Sequence, residues 1–436
     1  MADETLTQTT SAPATSTPEA TTEATPRRAG LASVFRPLAG RDFRLLFTGE
    51  TISLLGDQFH YIALAWLALE LTGSGLVLGT VLLVGGLPRM VLVLFGGAIA
   101  DRVSPRSVML ISNALRAIVV ALLAFLVLGG QAEIWMLYPF ALVFGAVDAF
   151  FWPAQGAIVP MLVSEEELPA ANGLTQSSQS LTNLIGPAIA GLFVAAVGTG
   201  WAFGIDAASF GVAAVALFLI VGGRRPTAAQ GAQPGLLAEI RSGIGYAWRD
   251  PAIRSLILLS AVLNFAVNGP IGVGLAWLAS HRFNGEADVF GFMLAAFGAG
   301  ALIGAIAAGA VGRVRELGWV TLIASLLTAV GMALIGLAGS PLAVMAFIFV
   351  IGLAIGFINV RIVAWLQIRT PETMIGRVMS LVMMGGVIMS PISLAVAGVL
   401  VDLGAATTMY LAAGALILLA TLAAMAWGVP AQMREE

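Results

Sequence analysis

From about residue 43 to residue 428 one long apolar segment follows another, most of them near the length needed to cross a bilayer. Few folds are compatible with this pattern. Hydrocarbon offers the backbone no hydrogen-bonding partner, so a chain inside it must pair its N–H and C=O groups internally, as helices or as a closed barrel. The segments lack strict period-two alternation, which excludes a barrel. Only 10% of residues are charged and 59% are hydrophobic, with a mean hydropathy of +0.96. A soluble domain of this length could not cover its surface with so few charges. The chain therefore reads as an all-α polytopic membrane protein.

Gly, Pro, Asn and short charged groups divide the apolar sequence. Twelve transmembrane helices are expected, near residues 43–69, 76–100, 107–129, 133–155, 169–197, 200–221, 253–279, 286–311, 317–338, 341–368, 374–400 and 403–428. The expected organisation is a cytoplasmic tail and lead-in (1–40), an N-terminal six-helix bundle (41–221), a connector (222–252), a C-terminal six-helix bundle (253–428) and a short tail (429–436). Residues 1–26, rich in Thr, Ala, Ser and Pro, read as disordered and lack the hydrophobic core of a cleavable signal peptide. Residues 234–250 fit either an interfacial amphipathic helix or a plain linker. All 21 basic residues are arginine, and they concentrate in the segments that face the cytoplasm if the N-terminus is inside. Among the short turns expected outside, only residues 280–285 contain one, Arg282. This positive-inside bias supports an even number of crossings with both termini cytoplasmic.

The two halves resemble each other. Leu64-Ala65-Trp66-Leu67-Ala68 recurs as Leu275-Ala276-Trp277-Leu278-Ala279, 211 residues later, and Asp101-Arg102 then sits opposite Gly312-Arg313. Copying in the same direction implies two parallel six-helix pseudo-repeats around a central cavity. The copies are unequal in polar content: Asp57 stands opposite the neutral Asn268. Glycines such as Gly298, Gly300 and Gly304 suit close helix packing, or helices that slide.

Ionisable groups at depth are costly and face a cavity or a partner. Asp57 should lie near the midplane of the first helix, with Glu50 on roughly the same face and His60 one turn on. Together with Asp148 in the fourth helix they are the proton-coupling candidates; the competing role for Asp57 is a fixed polar contact. Arg89, Arg116 and Arg361 are candidate charge partners or substrate contacts, with Asp57–Arg89 and Asp148–Arg116 as plausible pairs. Asp206, near the outer end of the sixth helix, suits a brace on an outer turn. Trp66, Asn183, Asn264, Asn268, Phe357 and Asn359 are cavity candidates, although interhelical contacts or core packing account for each as well.

The loop after the second helix carries the most specific local pattern: Gly97, Asp101, Arg102 and Arg106 could latch a cytoplasmic gate through backbone groups and helix ends. In this loop the chain resembles a major facilitator superfamily transporter, particularly the twelve-helix drug:proton antiporter branch, with Ser104 and Pro105 replacing a second glycine and a basic residue of the family pattern. Further stretches are similar to its macrolide-efflux and enterobactin-exporter group: Ser53-Leu54-Leu55-Gly56-Asp57-Gln58, Leu168-Pro169-Ala170-Ala171-Asn172-Gly173-Leu174, Asp206-Ala207-Ala208-Ser209-Phe210 and Gly376-Arg377-Val378-Met379-Ser380. The resemblance covers about residues 35–430 and implies the fold, the bacterial cytoplasmic (inner) membrane as location, and export of a hydrophobic compound.

Other chemistries lack their residues. The sequence has no Walker pattern for ATP drive, only two histidines and no cysteine for metal ligation, and no nucleophile–base set for an enzyme. No cofactor and no nucleic-acid partner are expected; protons are the expected coupling ion. The leading expectation is a monomeric secondary exporter of hydrophobic or amphipathic small molecules, working by proton antiport and alternating access. Uptake or facilitated passage of an anionic metabolite, a lipid flippase, and a non-transporting receptor or scaffold are the alternatives.

Overall fold

A computed structural model describes residues 34–100, 104–221, 244–312 and 314–433. The tail over 1–33, most of the connector (222–243), Asp101 and Arg102 lie outside the described residues, as do the surroundings of Gly97. The long helices are α1 (Arg41–Thr72), α2 (Gly75–Ala100), α3 (Pro105–Leu128), α4 (Ile134–Leu162), α5 (Leu168–Val197), α6 (Thr199–Leu219), α7 (Pro251–Arg282), α8 (Ala287–Ala310), α9 (Leu317–Leu337), α10 (Pro341–Arg369), α11 (Glu372–Asp402) and α12 (Ala406–Ala426). Among the described residues ten are long and apolar enough to cross a membrane, while α2 and α11 contain the shorter apolar stretches Gly75–Met90 and Ile388–Asp402. The chain is thus a multi-pass helical membrane protein, and many large apolar side chains, such as Phe125, Phe218 and Leu419, point outward as lipid requires.

The packing is pseudo-symmetric. Within the first half α1 lies on α6 and α3 on α6 and α4; within the second, α7 lies on α11 and α12, and α9 on α10 and α12. The halves meet along α2–α11 and along α5–α8. Among the described residues, the close glycine contacts of both seams run from mid-helix to the end that holds the 73–75 and 402–405 turns. A Cβ on Gly398 would lie 2.5 Å from the Gly75 carbonyl oxygen, and one on Gly291 would collide with the Pro187 carbonyl. Asp402 then caps α2: it accepts from Ser74 Oγ (2.5 Å) and from the Gly75 N–H (2.6 Å), placing a negative charge on the positive end of the helix.

Helix α7 is irregular. It contains π turns at Pro270–Gly274 and Leu278–Arg282. Pro270 has no N–H to give, and the neighbouring polar groups are paired from other helices instead. Ser393 of α11 accepts from the Gly269 N–H (2.7 Å) and donates to the Phe265 carbonyl, bridging one step of the α7 ladder. The Tyr410 hydroxyl of α12 donates to the Pro270 carbonyl at 2.9 Å. Arg282, the one arginine expected on the outer side, donates to the Gly336 carbonyl (2.8 Å) and to Thr407 (3.2 Å) at the ends of α9 and α12.

At the other end, Asp250 caps α7 by accepting from Ala252 N (2.9 Å) and Ile253 N (3.3 Å), and it takes a 2.8 Å bond from Arg369 at the end of α10. Partial burial works to raise the Asp250 carboxyl, but Arg369 and the helix N–H groups outweigh it and hold the group below its ordinary range.

Two outcomes are expected. Gly398→Leu should keep α2 and α11 from closing, read as a longer distance between spin labels on Leu71→Cys and Leu403→Cys; an unchanged distance would show that the seam does not depend on this glycine. Because the Asp250 carboxyl is depressed, its stabilisation is full above the unfolded value of about 4 and is lost as pH falls through the lower folded value. Asp250→Asn should therefore flatten that part of the acid limb in detergent unfolding, and Asp250→Ala should cost about 1 kcal/mol as a lost cap.

Candidate functional site

A cavity of about 520 Å³ lies between the halves, walled by α1, α2 and α4 on one side and by α7 and α11 on the other. Its first-half wall carries His60, Arg89 and Asp148, and its second-half wall carries Asn264, Asn268 and Ser390. One side of the chamber is therefore ionisable and the other is polar but neutral.

Two close helix approaches build the ionisable side. Where α4 crosses α2, a Cβ on Gly145 would collide with the Gly85 carbonyl, and one turn further on Asp148 meets Arg89. The second oxygen of Asp148 receives Arg116 from α3 at 2.6 Å. Arg116 is 2% exposed and sits among aromatic faces, 4.4 Å from Phe151, 5.3 Å from Phe144 and 5.4 Å from Phe210. Arg89, by contrast, has a side chain 41% exposed and reaches toward Trp152. Asp148 thus links a sealed cation to one that borders the cavity.

Where α1 crosses α6, a Cβ on Gly56 would lie 2.9 Å from Asp206 Oδ1 and would strike Ser209. This approach brings His60 Nδ1 to 3.0 Å from Asp206 Oδ2, with Asp206 fully buried. The imidazole stacks on Phe144 at 4.4 Å, the same ring that covers Arg116. Asp57 is part-buried on α1 and has no hydrogen-bonded partner among the described residues; Asp206, Arg116, Asp148 and Glu50 all lie within its electrostatic reach. Glu50 is buried and accepts from Gln155 Nε2 at 3.2 Å.

The sequence candidates therefore separate. Arg89 pairs with Asp148, which it shares with Arg116, and not with Asp57. Asp206, expected as a brace on an outer turn, is instead the partner of His60, and Gly56 four residues before His60 is the sequence trace of that contact. Asn264 and Asn268 line the central cavity, whereas Asn359 lines a separate cavity that also touches those two residues. Asn359 occupies the position equivalent to Asp148 at the 211-residue offset. Asn183 accepts from Gln58 at 3.3 Å between α5 and α1, Trp66 packs against the core, and Phe357 lies under Arg361 at 6.0 Å. Arg361 donates to the carbonyls just past the end of α8, Val311 and, at 2.7 Å, Gly312. Arg106 holds the end of α6 through the Leu217 (2.8 Å) and Phe218 (2.7 Å) carbonyls. Sequence reading missed Ser393 and Gln155, because a lone hydroxyl or amide in an apolar run carries no sign of which helix it will meet.

The backbone resembles the solved structures of the nucleoside transporter NupG (TM-score 0.71, 14% identity, 88% of this chain and 99% of that one) and of a POT family transporter in complex with 5-aminolevulinic acid (0.71, 15%, 91% and 97%). Cavity, paired seams and likeness agree on the fold, and the family match together with the sequence relatives makes the chain a major facilitator superfamily transporter. The chain belongs to the family described as transmembrane secretion effector, whose model matches residues 32–436. Similar proteins include macrolide efflux protein A of Streptococcus pyogenes (26% identity, 86% of this chain and 93% of that protein), the multidrug efflux pump Tap of Mycolicibacterium fortuitum (25%, 82% and 88%) and the enterobactin exporter EntS of Shigella boydii (26%, 77% and 79%). The chain is a secondary transporter of the efflux kind and not an enzyme.

Removing one partner of a buried charge pair leaves the other uncompensated, a loss of roughly 3–5 kcal/mol. Arg116→Met should cost that much in denaturant unfolding, and Arg116→Met combined with Asp148→Asn should recover part of it. A double variant no more stable than Arg116→Met would show that Arg116 acts through its aromatic contacts alone.

Proposed function

We propose that this chain is a proton-driven exporter of hydrophobic or amphipathic small molecules, of the drug:proton antiporter branch. Twelve crossings, in parallel six-helix repeats at 41–221 and 253–428, would rock about the central cavity in the bacterial cytoplasmic membrane, with both termini inside and the monomer as the working unit. The observation that carries the reading is the charge balance at mid-depth: among the described residues, Glu50, Asp57, Asp148 and Asp206 face only Arg89, Arg116 and His60. In low dielectric an excess of acids is relieved by binding protons, and one of the four, Asp148, lines the chamber where a substrate would sit.

The cycle follows from this placement. The seams that close the cavity lie at the end expected outside, so the chamber belongs to an inward-facing state that takes substrate from the cytoplasm or the inner leaflet. Opening outward would part α2 from α11 and expose the acids to the proton-rich side. A proton arriving on the Asp148 carboxylate would weaken its hold on Arg89, the more exposed of its two cations, and free that guanidinium to move in the chamber. Return to the inward state would release the proton inside. With Arg89 held by Asp148, the site offers little free positive charge to an anionic metabolite, which favours export of apolar compounds over anion uptake.

Reconstitution in proteoliposomes with an imposed pH gradient and a mixed ligand library tests direction, substrate and coupling together. Hydrophobic compounds should move against their gradient as protons move down theirs, and a protonophore should abolish this. Asp57→Asn or Asp148→Asn should lose gradient-driven accumulation while keeping downhill exchange. Proton-coupled transport intact in both variants would overturn the assignment of these acids, and no flux for any compound would favour a receptor or scaffold.

A further inference from the structure

Asp206 is fully buried on α6, and both oxygens of its carboxyl group are sealed from solvent. A carboxylate so placed must be answered by a cation or take up a proton. Among the described residues the ionisable group in contact with it is His60 of α1, whose Nδ1 lies 3.0 Å from Oδ2. Arg116 acts on Asp206 from further off and is already bonded to Asp148. Neither Asp206 oxygen has an aligned hydrogen bond, so the contact draws on charge rather than on direction. Imidazole suits that role because it becomes a cation by gaining one proton.

The two members differ in access. Asp206 has no exposed surface, whereas 11% of the His60 side chain is exposed and lines the central cavity. His60 Nδ1 is itself sealed, so the exposed part is the remainder of the side chain. Behind the ring, toward α3, a cavity of about 10 Å³ is walled by Val119, Val120, Leu123 and Phe140 and offers water no polar partner but His60. A proton therefore reaches the pair from the chamber between the halves. Phe144 stacks on the ring at 4.4 Å and Phe203 meets it at 73°, which fixes its orientation and gives a cation an aromatic face. The charged groups around the pair are Asp57 on α1, Arg116 beyond Phe144, and Arg89 and Asp148 on the wall of the same cavity.

We propose that His60 and Asp206 form a second proton site, loaded and emptied through the central cavity, with Asp206 as the positioning residue. This rests on the proton-driven reading above. A proton from chamber water adds to the imidazole lone pair, forming one N–H bond and leaving an imidazolium beside the Asp206 carboxylate. Release breaks that bond, returns the proton to water and leaves a neutral ring beside a sealed anion. The loaded pair is compensated and the unloaded pair is not. The pair spans α1 and α6 and is distinct from Arg89–Asp148 on α2 and α4, so proton sites stand on two helix pairs around one chamber.

His60 and His281 are the only histidines in the chain, so His281→Gln leaves one imidazole to observe. In the purified full-length protein, NMR of the ring nitrogens separates imidazolium from neutral imidazole. His60 should pass between the two as pH is varied over the range in which the protein stays folded. Asp206→Asn should lower the imidazolium fraction at a given pH about tenfold, the worth of a hydrogen bond to a charged group. A ring fixed in one state at every such pH, neutral or charged, would overturn the site, as would indifference to Asp206→Asn. If Asp206→Asn does not fold, the pH response of His60 beside the intact Asp206 decides. In proteoliposomes His60→Gln should carry fewer protons per substrate than the unaltered protein, and an equal ratio would also overturn the site. Absence of proton-driven flux in the unaltered protein, with the His60 response intact, would instead count against the transporter reading alone.

Discussion

A guanidinium enclosed by helices in a bilayer must have its charge answered, and Arg116 sets that demand for the whole first half. Its side chain is 2% exposed and walled by Phe144, Phe151 and Phe210, so water is not the answer. Asp148 is, through one oxygen, and its other oxygen draws in Arg89 from α2. Three helices are thereby fixed at a common level. Phe144, which covers Arg116, also stacks on His60 and so ties the His60–Asp206 contact to the same centre. The glycine crossings at Gly145 and Gly56 let the backbones come close enough for these short polar contacts.

Much of this was legible before any coordinates. Apolar length located the helices, and the bounds differ mainly where they run on past the hydrocarbon, as α1 does from Arg41 to Thr72. Counting residues from a helix end gives depth, which is why Asp148 and Arg116 could be matched from opposite-running helices. Depth does not give azimuth. Asp57 and Arg89 share a level, yet they face different neighbours, and Arg89 goes to Asp148. Asp206 looked peripheral because it lies seven residues into α6, but the long α1 overlaps that level and supplies His60. The first π turn of α7 has a visible cause in Pro270, whereas the Ser393 and Tyr410 bonds beside it arise only when α11 and α12 pack against it.

The two halves share a frame and differ in content. At the offset of 211 residues Asp57 faces Asn268 and Asp148 faces Asn359, so amides stand in the second half where carboxylates stand in the first. An amide keeps the planar shape of a carboxylate, gives up its charge and exchanges one acceptor oxygen for an NH2 donor. The exchange leaves the second half neutral where the first is ionisable, without altering the backbone that both halves need for their paired seams. Ser393 adds a mechanical link: it joins α11, which forms a seam with α2, to the irregular part of α7.

That uneven wall has an electrical consequence. A membrane potential does work only on charge that moves through its field, about 2.3 kcal/mol per elementary charge for each 100 mV. The mid-depth charges at the central cavity belong to α1, α2, α3, α4 and α6, while Asn264 and Asn268 of α7 are neutral. At that level the field therefore grips the first half and slides past the second. Displacing those acids and arginines relative to the lipid would move charge through the field within a cycle, while over a whole turnover they return to where they began and the net current is that of the species carried across.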